Sequence, residues 1–212
     1  MAPLARAGPR LAPWGALGSG GVESHRGLEQ DSFDTPDTHW VLIEDEEGLC
    51  GCIRLLSCAQ DYMLPSIFPT ALAGEMAPRS SDVWELTRLA IDANRAPRMG
   101  NGVSELTCII FREVYAFARA KGIRELVAVV SLPVERIFRR LGLPIERLGH
   151  RQAVDLGAVR GVGIRFHLDE RGRPHARGEL RLRGSGRRLG LLRHGRNGLT
   201  EEELLEEGDH EI

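Results

Sequence analysis

Between His39 and Leu56 the apolar residues fall into two strand-like runs, His39–Glu44 and Leu49–Leu56. The polar stretch Asp45-Glu46-Glu47-Gly48 between them has turn chemistry, so the pair predicts a β-hairpin. Tyr62–Phe68 is apolar but broken by Pro65, which predicts a loop or short helix rather than a ladder strand. Val83–Asp92 alternates bulky and polar side chains and predicts a third strand. Over Asn101–Lys121 the apolar positions Val103, Leu106, Ile109, Ile110, Val114, Phe117 and Ala118 recur at helical spacing, and Gly122 supplies a stop. Leu126–Ser131 is a continuous apolar run, as in a strand buried on both faces. Pro133–Leu141 returns to helical spacing, with Arg139 and Arg140 near its end and Gly142 after it, and Gly163–Leu168 predicts the last core strand. Hairpin, strand, helix, strand, helix, strand describes an α/β three-layer sandwich in which a mixed sheet is covered by helices.

The ends break this pattern. Residues 1–27 are dominated by Ala, Pro, Gly, Arg and Leu without a period of 3.6 or 2.0, and read as an irregular segment. Residues 171–199 are rich in Arg and Gly and residues 200–212 are acidic, so 171–212 reads as a disordered tail. Residues 28–170 are left as the folded domain. A chain of 212 residues with 42% hydrophobic side chains supports one core of this size. Its net charge of -2 argues against a nucleic-acid or membrane partner. The four cysteines, Cys50, Cys52, Cys58 and Cys108, lie in apolar runs without metal-ligand spacing and read as buried thiols in a reducing compartment. No apolar run approaches the ~18 residues of a membrane span, and residues 1–26 lack a secretory core, so the expected location is cytoplasmic.

The candidate chemistry sits in three places. Glu29-Gln30-Asp31-Ser32-Phe33-Asp34 supplies acids ahead of the hairpin, Arg54 closes its second strand, and Trp84-Glu85-Leu86-Thr87-Arg88 lies on the third. Buried ions are costly unless both signs are present, so Asp34, Arg54 and Arg88 are expected to hold one another. Glu85 lies between apolar neighbours, and partial burial would raise its proton affinity toward that of a general base. A structural salt bridge to Arg88 is the competing reading. Glu85 and Arg88 are three apart, which places them on opposite faces of a strand unless a bulge intervenes.

These motifs, Asp31-x-Phe33-Asp34, Arg54 and Glu85-x-x-Arg88, resemble those of the acyl-homoserine-lactone synthases, the LuxI-type autoinducer synthases, over Leu28–Asp169. The resemblance implies the Gcn5-related N-acyltransferase fold. It also implies synthesis of an N-acyl-L-homoserine lactone: the amine of S-adenosylmethionine attacks an acyl thioester on acyl carrier protein, and the methionine carboxylate then closes the lactone and expels methylthioadenosine. S-adenosylmethionine is a substrate in this scheme, with no cofactor and no metal, and acyl-CoA is the alternative donor. By the same resemblance Glu85 is the catalytic base. Asp31, Phe33, Asp34, Arg54 and Arg88 bind substrate, with Asp31 the better substrate contact and Asp34 the better structural partner. Met63, Phe68, Trp84, Ala128, Val130, Ser131 and Leu132 line the acyl-chain pocket, although each apolar member taken alone reads more readily as core packing.

Two departures qualify the resemblance. Family members carry an Arg, a Phe and a Trp ahead of the acidic motif, and residues 1–26 show no such pattern, Trp14 being their only aromatic. Their composition suits a GC-rich gene read out of frame, an expectation that extends to the tail after Glu170. Second, Arg98-Met99-Gly100-Asn101-Gly102 invites comparison with the pyrophosphate loop of coenzyme-A-dependent acetyltransferases, but Pro97 stands where an Arg or Gln belongs. Pro97 thus speaks against a coenzyme-A-dependent N-acyltransferase, which stands as one alternative. An inactive or regulatory relative is another, keeping an acyl-carrier docking face at Arg112, Arg119, Lys121 and Arg124, residues that a solvated helix surface explains more readily.

Overall fold

The structure, a computed structural model, describes residues 23–25, 28–92, 94–95, 102–149, 152–157, 159–168, 188–195 and 198–202. In chain order its elements are β1 (Glu23–His25), β2 (Leu28–Gln30), β3 (His39–Asp45), β4 (Gly48–Ser57) and α1 (Met63–Ile67). A 3-10 turn (Pro69–Leu72), β5 (Val83–Ile91), α2 (Glu105–Lys121), β6 (Glu125–Ser131) and α3 (Leu132–Arg140) follow. The last are β7 (Ile145–Arg147), β8 (Val154–Asp155), β9 (Arg160–His167), β10 (Arg188–Gly195) and β11 (Gly198–Glu202).

The expected hairpin forms as β3–β4, with Asp45 opposite Gly48 across the turn. The sheet runs in the order β11-β10-β3-β4-β5-β6-β9-β7, with β8 paired to β9. It is mixed, since β5 and β6 are parallel while the other pairs are antiparallel. Period-two alternation divides its side chains between two cores. On one face Val41, Ile53, Leu55, Leu86, Leu126 and Ile164 pack against the apolar stripe of α2 and against Val134 and Phe138 of α3. On the other, Leu56 and Val127 meet Phe33, Tyr62, Leu64 and Phe68 from the acidic loop and α1. This gives the three layers expected from the sequence.

Local chemistry sets the helix ends. Ser104 caps α2 by accepting from the Leu106 amide at 3.1 Å, and Gly122, at φ +68°, closes it by donating to Ala118 and Arg119. The pyrophosphate-like loop at Pro97–Asn101 lies outside the described residues. α3 is tied to β7 by the buried Glu135, whose carboxylate takes Arg147 at 2.6 and 2.8 Å and Arg139 at 2.9 Å.

Two boundaries differ from the sequence reading. Glu23–His25, inside the segment expected to be irregular, pairs antiparallel with β2; residues 1–22 lie outside the described residues. In the stretch expected to be a disordered tail, β10 adds to the edge of β3, from Arg188 opposite Glu44 to Arg193 opposite His39, and β11 folds back on it. The physical reason is the edge itself: β3 presents a row of unpaired donors and acceptors, and a segment bearing Leu189, Leu191 and Leu192 has enough apolar character to take it. The short strands β7 and β8 also go beyond the sequence expectation.

Candidate active site

Arg54 and Thr87 are cross-strand partners on β4 and β5, as are Leu56 and Glu85, so all four side chains share the α1 face of the sheet. Further along, Cys52 pairs with Ala90, so between these pairs one residue of β4, Ile53, is matched by two of β5, Arg88 and Leu89. Arg88 takes up the excess at φ +51°, a left-handed conformation uncommon for a residue other than glycine. This bulge resolves the phase problem of Glu85-x-x-Arg88: the extra residue turns Arg88 to the side that holds Asp31.

Asp31 is the hub of the ionic cluster. It accepts from Arg54 at 2.8 and 3.1 Å and from Arg88 at 2.7 and 3.2 Å. Burial alone would push its carboxyl up, but hydrogen bonds and charge from Arg54 and Arg88 outweigh this and hold it below the usual carboxylate range. Asp34 accepts from Arg54 at 2.7 Å and, through its second oxygen, from the Asp31 amide at 2.9 Å. The Arg54 side chain is wholly buried. Its Nε donates to Thr87 at 3.0 Å, one terminal nitrogen donates to the Met63 sulfur at 3.0 Å, and its guanidinium lies 5.7 Å from the centre of the Trp40 ring. The expected mutual holding of Asp34, Arg54 and Arg88 is thus organised around Asp31. Both aspartates are held by Arg54, and Asp31 by Arg88 as well.

Glu85 stands apart from this cluster and does not take the salt bridge to Arg88 that the sequence left open. One carboxylate oxygen accepts from the Met63 amide at 2.7 Å; the other, Oε1, is buried and has no hydrogen-bond partner among the described residues. Burial pushes the Glu85 carboxyl up to about 8, against the opposing pull of the Met63 and Leu64 amides and of Arg54. The environment responsible is not the one suggested by its sequence neighbours. Trp84 and Leu86 point to the α2 face, where Trp84 packs edge-on to Phe117 at 5.3 Å, and Glu85 is instead covered by α1 and the side chains around it.

The acyl-pocket candidates divide between the two faces. Met63 and Phe68 lie with Phe33 on the Glu85 side, while Trp84, Ala128, Val130 and Leu132 belong to the α2 and α3 core. Ser131 is buried at the junction of β6 and α3, in the N-cap position of the helix. The sheet divides beside Leu86 and Ala128. β5 and β6 are in register only from Val83 opposite Glu125 to Leu86 opposite Ala128; thereafter β5 follows β4 and β6 follows β9. Sequence reasoning passed over Thr87 and Trp40 as supports of Arg54, and the Met63 amide as a partner of Glu85. Trp40 and Thr87 had a legible signal, since hairpin register and strand alternation put both beside Arg54.

Of the four basic residues considered for docking, Arg119, Lys121 and Arg124 are exposed, while Arg112 pairs with Glu113 at 2.8 Å and Arg124 with Asp82. None of the four cysteines is in a disulfide. Among the described residues no group of three or more His, Cys, Asp or Glu side chains is placed to hold a metal, and no helix is long and apolar enough to cross a membrane.

The sequence model of the autoinducer synthases matches residues 19–170. The chain is 98% identical over 150 residues to an acyl-homoserine-lactone synthase of Aeromonas salmonicida, a match covering 71% of this chain and 72% of that protein. Its fold is similar to the crystal structure of the acyl-homoserine-lactone synthase LasI, with a TM-score of 0.61 at 31% identity over 69% of this chain and 72% of LasI. The CoA-dependent synthase BjaI shares the fold at 22% identity, with a TM-score of 0.60 over 69% of this chain and 65% of BjaI. The chain therefore belongs to the autoinducer synthase family, acyltransferases that make acyl-homoserine lactones with S-adenosylmethionine as a substrate and without a cofactor.

Proposed function

We propose that Glu85 accepts the proton of the S-adenosylmethionine amine as that nitrogen attacks the acyl thioester. The observation that carries this reading is the buried, unpartnered Oε1 of Glu85 beside an ionic cluster that satisfies its own charges. A carboxyl held near 8 is a strong enough base for an amine, and a cationic substrate would draw it toward the charged form. In the first step the N–C bond forms, the thioester C–S bond breaks, and the carrier thiol leaves with a proton. In the second the substrate carboxylate attacks the carbon next to the sulfonium, the C–S bond to that carbon breaks, and methylthioadenosine departs as a neutral thioether. Asp31 and Asp34, fixed by Arg54 and Arg88, would set the position of the cationic substrate before reaction.

The acyl donor in this proposal is an acyl carrier protein. Its acidic surface suits the exposed Arg119, Lys121 and Arg124. The divergence of β5 from β6 supports a path for the acyl chain from the Glu85 face, past Met63 and Phe68, toward Ala128 and Val130. Methylthioadenosine release from the purified chain, measured with acyl carrier protein thioesters and separately with acyl-CoA, tests the donor. Faster turnover with acyl-CoA would overturn the choice of carrier. Glu85→Gln should abolish release with either donor, and retained turnover would remove Glu85 as the base.

One observation favours a second reading, that of an inactive relative. Identity of 98% over 150 residues coexists with flanks outside the match, which point substitution does not produce and a change of reading frame does. Translating the other two frames of the gene on either side of the matched stretch tests this. Silence from a folded chain in the release assay would mark the inactive form.

A further inference from the structure

Glu85 is 1% exposed although it lies on a sheet face with no long helix over it. Its cover is the segment Tyr62–Pro78, which leaves β4, turns through α1 and the 3-10 turn, and crosses the sheet toward β9. The Tyr62 hydroxyl donates to the Pro78 carbonyl at 2.7 Å, joining the two ends of the crossing. The middle lies flat on the sheet because the positions beneath it are glycines. A Cβ at Gly163 would meet the Ala71 carbonyl at 2.5 Å, and one at Gly149, where φ is +54°, would meet the Leu72 carbonyl at 2.4 Å. One side chain fastens the far end. Glu75 accepts from the Gly149 amide at 2.8 Å through one oxygen and pairs with Arg165 of β9 through the other.

We propose that Glu75 is a positioning residue for the reaction: by clasping the Tyr62–Pro78 strap to Gly149 and Arg165, it holds the Met63 amide on Glu85 and keeps water from that carboxylate. The clasp lies on a different part of the sheet from the Asp31 cluster, and none of its bonds involves Asp31, Arg54 or Arg88. The inference rests on Glu85 being the base.

Release of the strap has a defined electrostatic result. The groups that face Glu85 are Arg54 from β4, Cys58 from the turn just after it, Asp31 from the acidic loop and Tyr62 from the head of α1. Burial pushes the Cys58 thiol and the Tyr62 phenol well up, so both are neutral and leave Arg54 and Asp31 as the charges that Glu85 feels. Those two are fixed by their own network and stay when the strap lifts. Water entry therefore removes the desolvation that dominates the carboxyl, which falls from about 8 toward its ordinary value.

The experiment is the pH dependence of kcat/KM for S-adenosylmethionine at saturating acyl thioester, in wild type, Glu75→Gln, Glu75→Ala and Gly149→Ala. The substrate amine titrates identically in every case, so a displaced acid limb belongs to the protein. The limb is expected to move to lower pH by about one unit or more in Glu75→Ala and Gly149→Ala, and by less in Glu75→Gln, which keeps an acceptor for the Gly149 amide. Gly149→Ala disturbs the strap without touching either charge. An unmoved limb in Glu75→Gln together with either other variant would overturn the proposal, whatever happens to Tm. Glu75→Gln is the mildest change and decides alone if the others fail to fold. Glu85→Gln in the same series keeps the two questions separate: turnover there sinks the base, while a dead Glu85→Gln beside unmoved limbs sinks only the clasp.

Discussion

Replacing Arg54 by Met removes the centre of the buried ionic cluster while keeping most of the side-chain volume. The loss can be worked from the geometry. Arg54 donates to Asp31 at 2.8 and 3.1 Å, to Asp34 at 2.7 Å and to Thr87 at 3.0 Å, with its side chain 0% exposed. Asp31 would keep Arg88 at 2.7 Å, so the carboxylate left without its guanidinium is that of Asp34, whose side chain is 4% exposed. Stranding one buried charge costs about 3–5 kcal/mol. For a chain of this size that lowers Tm by on the order of 10 °C.

The cost also has a pH signature. The depressed carboxyl of Asp31 contributes stability that is present above its unfolded value and is lost as pH falls through the folded one. The gap between wild type and Arg54→Met should therefore narrow below about pH 4. Arg54→Lys should recover part of the loss, since an ammonium cannot reach Asp31, Asp34 and Thr87 with one planar fork. Urea unfolding of the three proteins at neutral and acidic pH measures all of this. A loss under about 1 kcal/mol at neutral pH would refute the cluster as a buried, mutually dependent unit.

Two other outcomes follow from the same face of the sheet. Glu85 is a carboxyl held up to about 8, against about 4.3 in the unfolded chain, so its contribution to stability is complete below the unfolded value and declines as pH rises through the folded one. Glu85→Gln should match wild type near pH 4 and become the more stable protein toward pH 8, by at most roughly 1.4 kcal/mol per pH unit; parallel stability curves would contradict this. Gly163→Ala, whose Cβ would lie 2.5 Å from the Ala71 carbonyl, should cost about 1–3 kcal/mol by forcing the strap off β9, and an unchanged urea midpoint would contradict the close approach.

Much of the sheet was legible because its signals are local. The hairpin announced itself by turn chemistry between two apolar runs, and α2 by the spacing of its buried stripe. The acids and guanidiniums of the site were legible as residue types, but not in the arrangement they adopt. Nothing in the composition of Trp84–Arg88 says that an extra residue is absorbed at Arg88, because the bulge is a property of the pairing with β4. The cover over Glu85 was hidden for a similar reason: it depends on Tyr62–Pro78 returning to glycines about 75 to 90 residues further along the chain. Trp84, adjacent to Glu85 in sequence, was an attractive source of its dryness, yet strand alternation sends it through the sheet to the helices. β10 was missed because its Arg and Gly content looks solvated until an open edge is available to it.

The residue count between Glu85 and Arg88 carries a consequence for how this enzyme can vary. Shortening the chain by one position between Thr87 and Ala90 would restore plain two-residue alternation and swing the Arg88 guanidinium through the sheet into the hydrocarbon packed under α2. Asp31 would forfeit a counterion, and a charge would be marooned among aliphatic groups. Substitutions at Leu89 are survivable by comparison, so spacing in this strand is the less negotiable trait.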